Sequence, residues 1–157
     1  MATDNDDVIS TLNDLIETSR DGEEGYRTSA QDAKDPQLKQ VFQEGVQSCA
    51  RGASELQQLV RQLGGDPDKS GSVSGSVHRG WVNVKAAVTG RTDLSILEEV
   101  ERGEDVAKAR YRKALEDGDL PPEVRQIVES QYQGVIRNHD RAKALRDQYK
   151  ARSNAST

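Results

Sequence analysis

Four long stretches of this chain repeat apolar or small residues at steps of three and four, and two short, proline-marked turns join them in pairs. That period belongs to amphipathic helices, and it limits the chain to an all-α architecture. The first stretch, residues 6–34, carries Val8, Leu12, Leu15, Ile16, Ser19, Gly22, Tyr26, Ala30 and Ala33 on one stripe. Asp35-Pro36 stops it, because proline pushes the preceding residue out of helical angles and suits the first turn of a new helix. The second, residues 36–64, carries Leu38, Phe42, Gly45, Cys49, Ala53, Leu56, Val60 and Leu63, and stops at Gly64-Gly65. So short a link makes an antiparallel hairpin. A second hairpin follows over 93–117 and 121–149, with its turn at Leu120-Pro121-Pro122.

Between the hairpins, residues 66–91 begin rich in glycine and serine and form the one positively charged region, with Lys69, Arg79, Lys85 and Arg91. Val77, Trp81, Val84 and Val88 step by four, three and four, which predicts a short extra helix over 76–89 with Trp81 pinned to the bundle. Helices of this length span roughly 40 Å, and a connection of about 26 residues can run their full length. Two antiparallel hairpins joined by a long crossover make a ferritin-like four-helix bundle. Residues 1–150 read as one domain, and the small, polar residues 151–157 as a flexible tail.

Twenty-two Lys and Arg stand against 27 Asp and Glu, a net charge of −5 that argues against a nucleic-acid or anionic-membrane binder. One cysteine excludes an internal disulfide and a multi-cysteine zinc site. No apolar run reaches the roughly 18 residues of a membrane span, so the expectation is a cytoplasmic protein.

Several stretches carry a resemblance: Leu12-Asn-Asp-Leu-Ile-Glu-Thr-Ser-Arg-Asp-Gly-Glu-Glu-Gly-Tyr26, Gly75-Ser-Val-His-Arg-Gly-Trp-Val-Asn-Val-Lys85, Glu101-Arg-Gly-Glu-Asp105 and Asn138-His-Asp-Arg141. Together they resemble a family of short proteobacterial four-helix-bundle proteins of unknown function, placed with the ferritin-like superfamily. The resemblance implies a ferritin-like fold and a stress-related role, and it brings no activity with it.

Ferritin-like di-iron proteins place one Glu on each of two helices and a Glu-x-x-His on each of the other two, all pointing inward. Here the inward polar residues are Glu23, Glu104 and His139, with Glu55 and Gln58 at an edge of the second helix. Glu23 and Gln58 lie 35 residues apart, as do Glu104 and His139. Glu55-Leu-Gln-Gln58 thus stands where one Glu-x-x-His belongs, with Gln for His, and Ile136-Arg-Asn-His139 where the other belongs, with Ile for Glu. Glu23, Glu55, Glu104 and His139 could hold one iron or manganese ion, but a symmetric dinuclear centre lacks two of its ligands. The same groups could instead satisfy one another as a buried polar cluster that fixes helix register.

Cys49, Tyr26 and Tyr111 read as core residues. His78, Arg79 and Lys85 in the crossover form a candidate anion or partner site. Phosphate-loop, dinucleotide and His-Glu-x-x-His motifs are absent, so no catalytic residue is assigned. Two functional classes stay open. The leading one is a non-catalytic bundle that works through a protein partner or self-association and needs no cofactor. The other is an iron-binding or oxidase-like ferritin relative with a degenerate core site.

Overall fold

The computed structural model describes residues 5–68, 92–117 and 119–155. Four helices account for almost all of them: α1 (Asn5–Asp32), α2 (Pro36–Gln62), α3 (Asp93–Asp117) and α4 (Pro122–Ala155). No strand occurs among the described residues. The fold is the expected all-α, ferritin-like four-helix bundle.

Each turn is fixed by local chemistry. Asp35 caps α2, its carboxylate accepting from the Gln37 N–H at 2.9 Å, and Pro36 occupies the first turn. Thr92 and Ser95 form a reciprocal cap on α3, each hydroxyl accepting the other's backbone N–H at 3.0 Å. At the end of α2, Gly64 adopts φ +84° and the Gly65 N–H reaches back to the Val60 carbonyl at 2.9 Å. Beyond it, the Asn13 side chain donates to the Asp66 carbonyl and ties the outgoing chain to α1. At the second turn Arg125 donates to the Leu115 carbonyl at 2.8 Å, satisfying one of α3's open acceptors.

Two hydrophobic clusters show how the helices run. One joins the start of α1 (Val8, Leu12, Leu15, Ile16), the end of α2 (Leu56, Leu59, Val60), the end of α3 (Tyr111, Ala114) and the start of α4 (Val124, Val128). The other joins the opposite ends, through Tyr26, Ala30, Leu38, Phe42, Ile96, Leu97, Val100 and Ala142. Thus α2 stops at one end of the bundle and α3 begins at the other, so the connection between hairpins joins opposite ends. That is the long crossover expected of a ferritin-like bundle. The extra helix over 76–89, the burial of Trp81 and the site at His78, Arg79 and Lys85 fall outside the described residues.

Within the helices, two close approaches need glycine. A Cβ at Gly45 would lie 2.6 Å from the Tyr26 ring, and one at Gly22 would lie 2.9 Å from the Cys49 sulfur, so α1 and α2 meet there backbone to side chain. By contrast α2 and α4 approach each other sparsely, and the seam between them is bridged by side chains, Gln131 to Glu55 and Arg141 to Glu44. The fourth helix runs to Ala155, six residues past the boundary that sequence suggested. Its last turns carry their own anchors: Tyr149 donates to the Asp35 carboxylate, and the Arg152 guanidinium sits over the Tyr149 ring at 4.7 Å.

Candidate functional site

Halfway along the bundle a polar layer separates the two hydrophobic clusters, and of the four candidate ligand residues Glu104 lies at its centre. The helical period that puts Ser19, Gly22 and Tyr26 on α1's inner stripe puts Glu104, Ala107 and Tyr111 on α3's.

Glu104 is the most deeply placed, with 3 % of its surface exposed. Its Oε1 accepts from the Tyr26 hydroxyl at 2.8 Å, while its Oε2 is buried without a hydrogen-bond partner. Burial disfavours the ionised carboxylate and lifts its pKa from 4.5 to about 7, against a smaller opposing pull from the Tyr26 hydrogen bond. Burial likewise raises the Tyr26 phenol and the Cys49 thiol, and the Glu104 carboxylate adds to both. Cys49 is therefore a protonated wall residue and no nucleophile.

A second network links all four helices. The Tyr111 hydroxyl donates to Gln131 Oε1 at 2.7 Å and lies 3.5 Å from the Ser19 hydroxyl. The Gln131 amide in turn donates to Glu55 Oε1 at 2.7 Å and to the Gly52 carbonyl at 3.2 Å. Gln131 is the hub, and its place between the apolar positions Val128 and Tyr132 made it look like an ordinary surface residue.

The expected ligand set does not assemble. Glu23, half-buried on α1, accepts from Arg27 at 2.6 Å. Glu55 is exposed and engaged by Gln131. Only Glu104 remains in the centre, held by Tyr26. His139 is buried, but its Nε2 lies 2.7 Å from Asp105 and 4.0 Å from Glu101, and its Nδ1 lies 3.1 Å from Asp140. Gln58, which would have to replace a histidine, is exposed. A dinuclear centre of the ferritin type therefore does not fit these residues.

A different trio does come together. Glu101, Asp105 and His139 each offer a ligand atom, all within 4.8 Å of one another, the one such group of three among the described residues. Glu101 and Asp105 are four residues apart on α3, so they share a face, and His139 meets them from α4. Arg146 already pairs with the other oxygen of Glu101. The sequence signal for this trio is the i, i+4 acidic pair itself, which flanks the inner-stripe residue Glu104.

A family model matches residues 7–117. The chain belongs to the domain of unknown function DUF2383. This DUF2383 bundle is similar to the structure of an Anabaena variabilis two-domain protein containing DJ-1/ThiJ/PfpI-like and ferritin-like domains. The TM-score is 0.77 at 19 % identity, over 94 % of this chain and 41 % of that one, so the chain spans about two-fifths of that protein. It is also similar to a dodecameric thioferritin, a bacterioferritin-related protein from Bacteroides fragilis, with TM-score 0.77 and 15 % identity over 98 % of this chain and 91 % of that one. No curated protein matches the chain. At these identities the structural likeness establishes the ferritin-like fold.

Proposed function

We propose that this DUF2383 chain is a non-catalytic ferritin-like bundle that acts through protein contacts, with a partner or with copies of itself. One observation carries the reading: Glu23, Glu55, Glu104 and His139 are each engaged by a different protein group, respectively Arg27, Gln131, Tyr26 and Asp105. Polar groups bonded in this way to separate partners can set helix register, and they do not converge on one ion. The Bacteroides fragilis neighbour is dodecameric, which supports looking for self-association here. No helix of the described residues is long and apolar enough to cross a membrane, in keeping with a cytoplasmic placement. The same reading takes residues 1–150 as one four-helix-bundle domain, and keeps the stress-related role that the family resemblance implies.

The test is to add Fe²⁺ aerobically to purified protein while recording its mass by light scattering. Oxidation no faster than in buffer, an unchanged melting temperature and a mass above that of one chain are expected. Rapid oxidation that disappears in Glu104→Ala would refute the reading.

The iron- or manganese-binding alternative has one observation on its side, the Glu101, Asp105 and His139 trio. It calls for a single ion bound with Asp140 orienting the imidazole, and for its loss in His139→Ala. Isothermal titration with Mn²⁺ decides between the two.

A further inference from the structure

The polar layer encloses a cavity of about 280 Å³, walled by Ser19, Cys49, Glu104, Ala107, Tyr111 and Gly134 among others. It adjoins a recess of about 350 Å³ along the seam between α2 and α4, and the two share Ser48, Arg51, Gly134 and Asn138. Because α2 and α4 touch so little, this seam is the natural way in. Neither space belongs to the contacts proposed above.

The cavity has one chemical peculiarity. A fully buried carboxylate in its wall keeps one oxygen without any hydrogen-bond partner. Leaving such an atom unsatisfied is costly, and native interiors rarely tolerate it without water or a ligand. Glu104 forms no ion pair among the described residues. For the ionised carboxylate the missing partner is a donor, and a positively charged one would also offset the buried anion and hold it in that form. A metal ion is a poor candidate, since the one trio of ligand atoms among the described residues, Glu101, Asp105 and His139, does not line this space. An anion would meet the carboxylate directly; Arg51, which also lines both spaces, is exposed at their outer edge. Ala107 and Val135 supply apolar wall, and the hydroxyls of Ser19 and Ser48 supply further acceptors. Such a lining suits a short alkyl chain with an ammonium head.

We propose that the cavity between the four helices binds a small organic ammonium ion, its head group donating to Glu104 Oε2 and its alkyl chain lying towards the α2–α4 seam. Glycines at 52 and 134 keep the space open: a Cβ at either would meet nothing closer than 3.7 Å, so neither is demanded by backbone packing.

The probe is n-butylammonium, titrated into the full chain and followed by protein NMR, with 1-butanol and butyrate as neutral and anionic controls. Saturable binding of one n-butylammonium per chain is expected, at least tenfold tighter than either control. Glu104→Gln should weaken it at least tenfold. Gly134→Leu, which fills the space from α4 while raising helix propensity, should abolish it in a folded protein. Labelling of Cys49 by a thiol reagent should slow on binding in the wild-type chain. Absence of saturable binding, the result if the cavity holds water alone, would overturn the proposal. So would equal affinity for 1-butanol, or undiminished binding in Glu104→Gln or Gly134→Leu.

Discussion

Glu104 is the residue on which most of this chemistry turns. Its folded pKa of about 7 lies above the ordinary value of 4.5, because burial penalises the anion. The sign follows from linkage: a raised pKa means that the folded state holds its proton longer than the unfolded state. The contribution to stability is complete below about pH 4.5 and is lost as pH rises through about 7. For a fully buried group the shift amounts to on the order of 3 kcal/mol. Glu104→Gln keeps an acceptor for Tyr26 and removes the titration. Urea unfolding of the two proteins should therefore diverge between pH 5 and 8, with the variant gaining on the wild type. Parallel profiles would show a solvated carboxylate. Tyr26→Phe removes the one hydrogen bond to that carboxylate and should destabilise by about 1–3 kcal/mol, more at pH 8 than at pH 5.

At the scale of elements, the helices were legible because their apolar period and turn chemistry agree. Pro36 and Asp35 mark one boundary, Gly64 another, and the structure places each within two residues of the expected position. What joins the elements was not legible. Asp93 begins α3, yet its two oxygens accept the Lys34 and Asp35 backbone N–H groups at 2.8 and 3.0 Å, sealing the α1–α2 turn from 58 residues away. No local pattern encodes a cap delivered by another helix. Asp93→Ala should cost about 1–3 kcal/mol in chemical denaturation, well beyond a surface substitution. Gly45 makes the opposite point. Alanine there improves helix propensity by about 1 kcal/mol, but its methyl group meets the Tyr26 ring at 2.6 Å. Overpacking of that kind costs about 1–3 kcal/mol, so Gly45→Ala should lower the melting temperature. A neutral or raised value would mean that the ring can move aside.

For the whole molecule, the arrangement of the two hydrophobic clusters establishes that the hairpins are joined end to opposite end, and family membership and structural likeness agree with it. The candidate site was only half legible. Spacing located Glu104 in the core, because a deep helical stripe leaves little freedom of phase. The same spacing put His139 inside, where it is buried, but its neighbours there are Asp105 and Glu101 and not Glu104. Ferritin-like chemistry depends on six groups converging, and here Arg27, Gln131 and Asp105 each draw one candidate away. The most direct test of this account is the iron content per chain after aerobic loading with Fe²⁺ and removal of loosely held metal. The account predicts no iron held through Glu104, and identical content in wild type and Glu104→Ala. Two irons per chain that vanish in Glu104→Ala would contradict it.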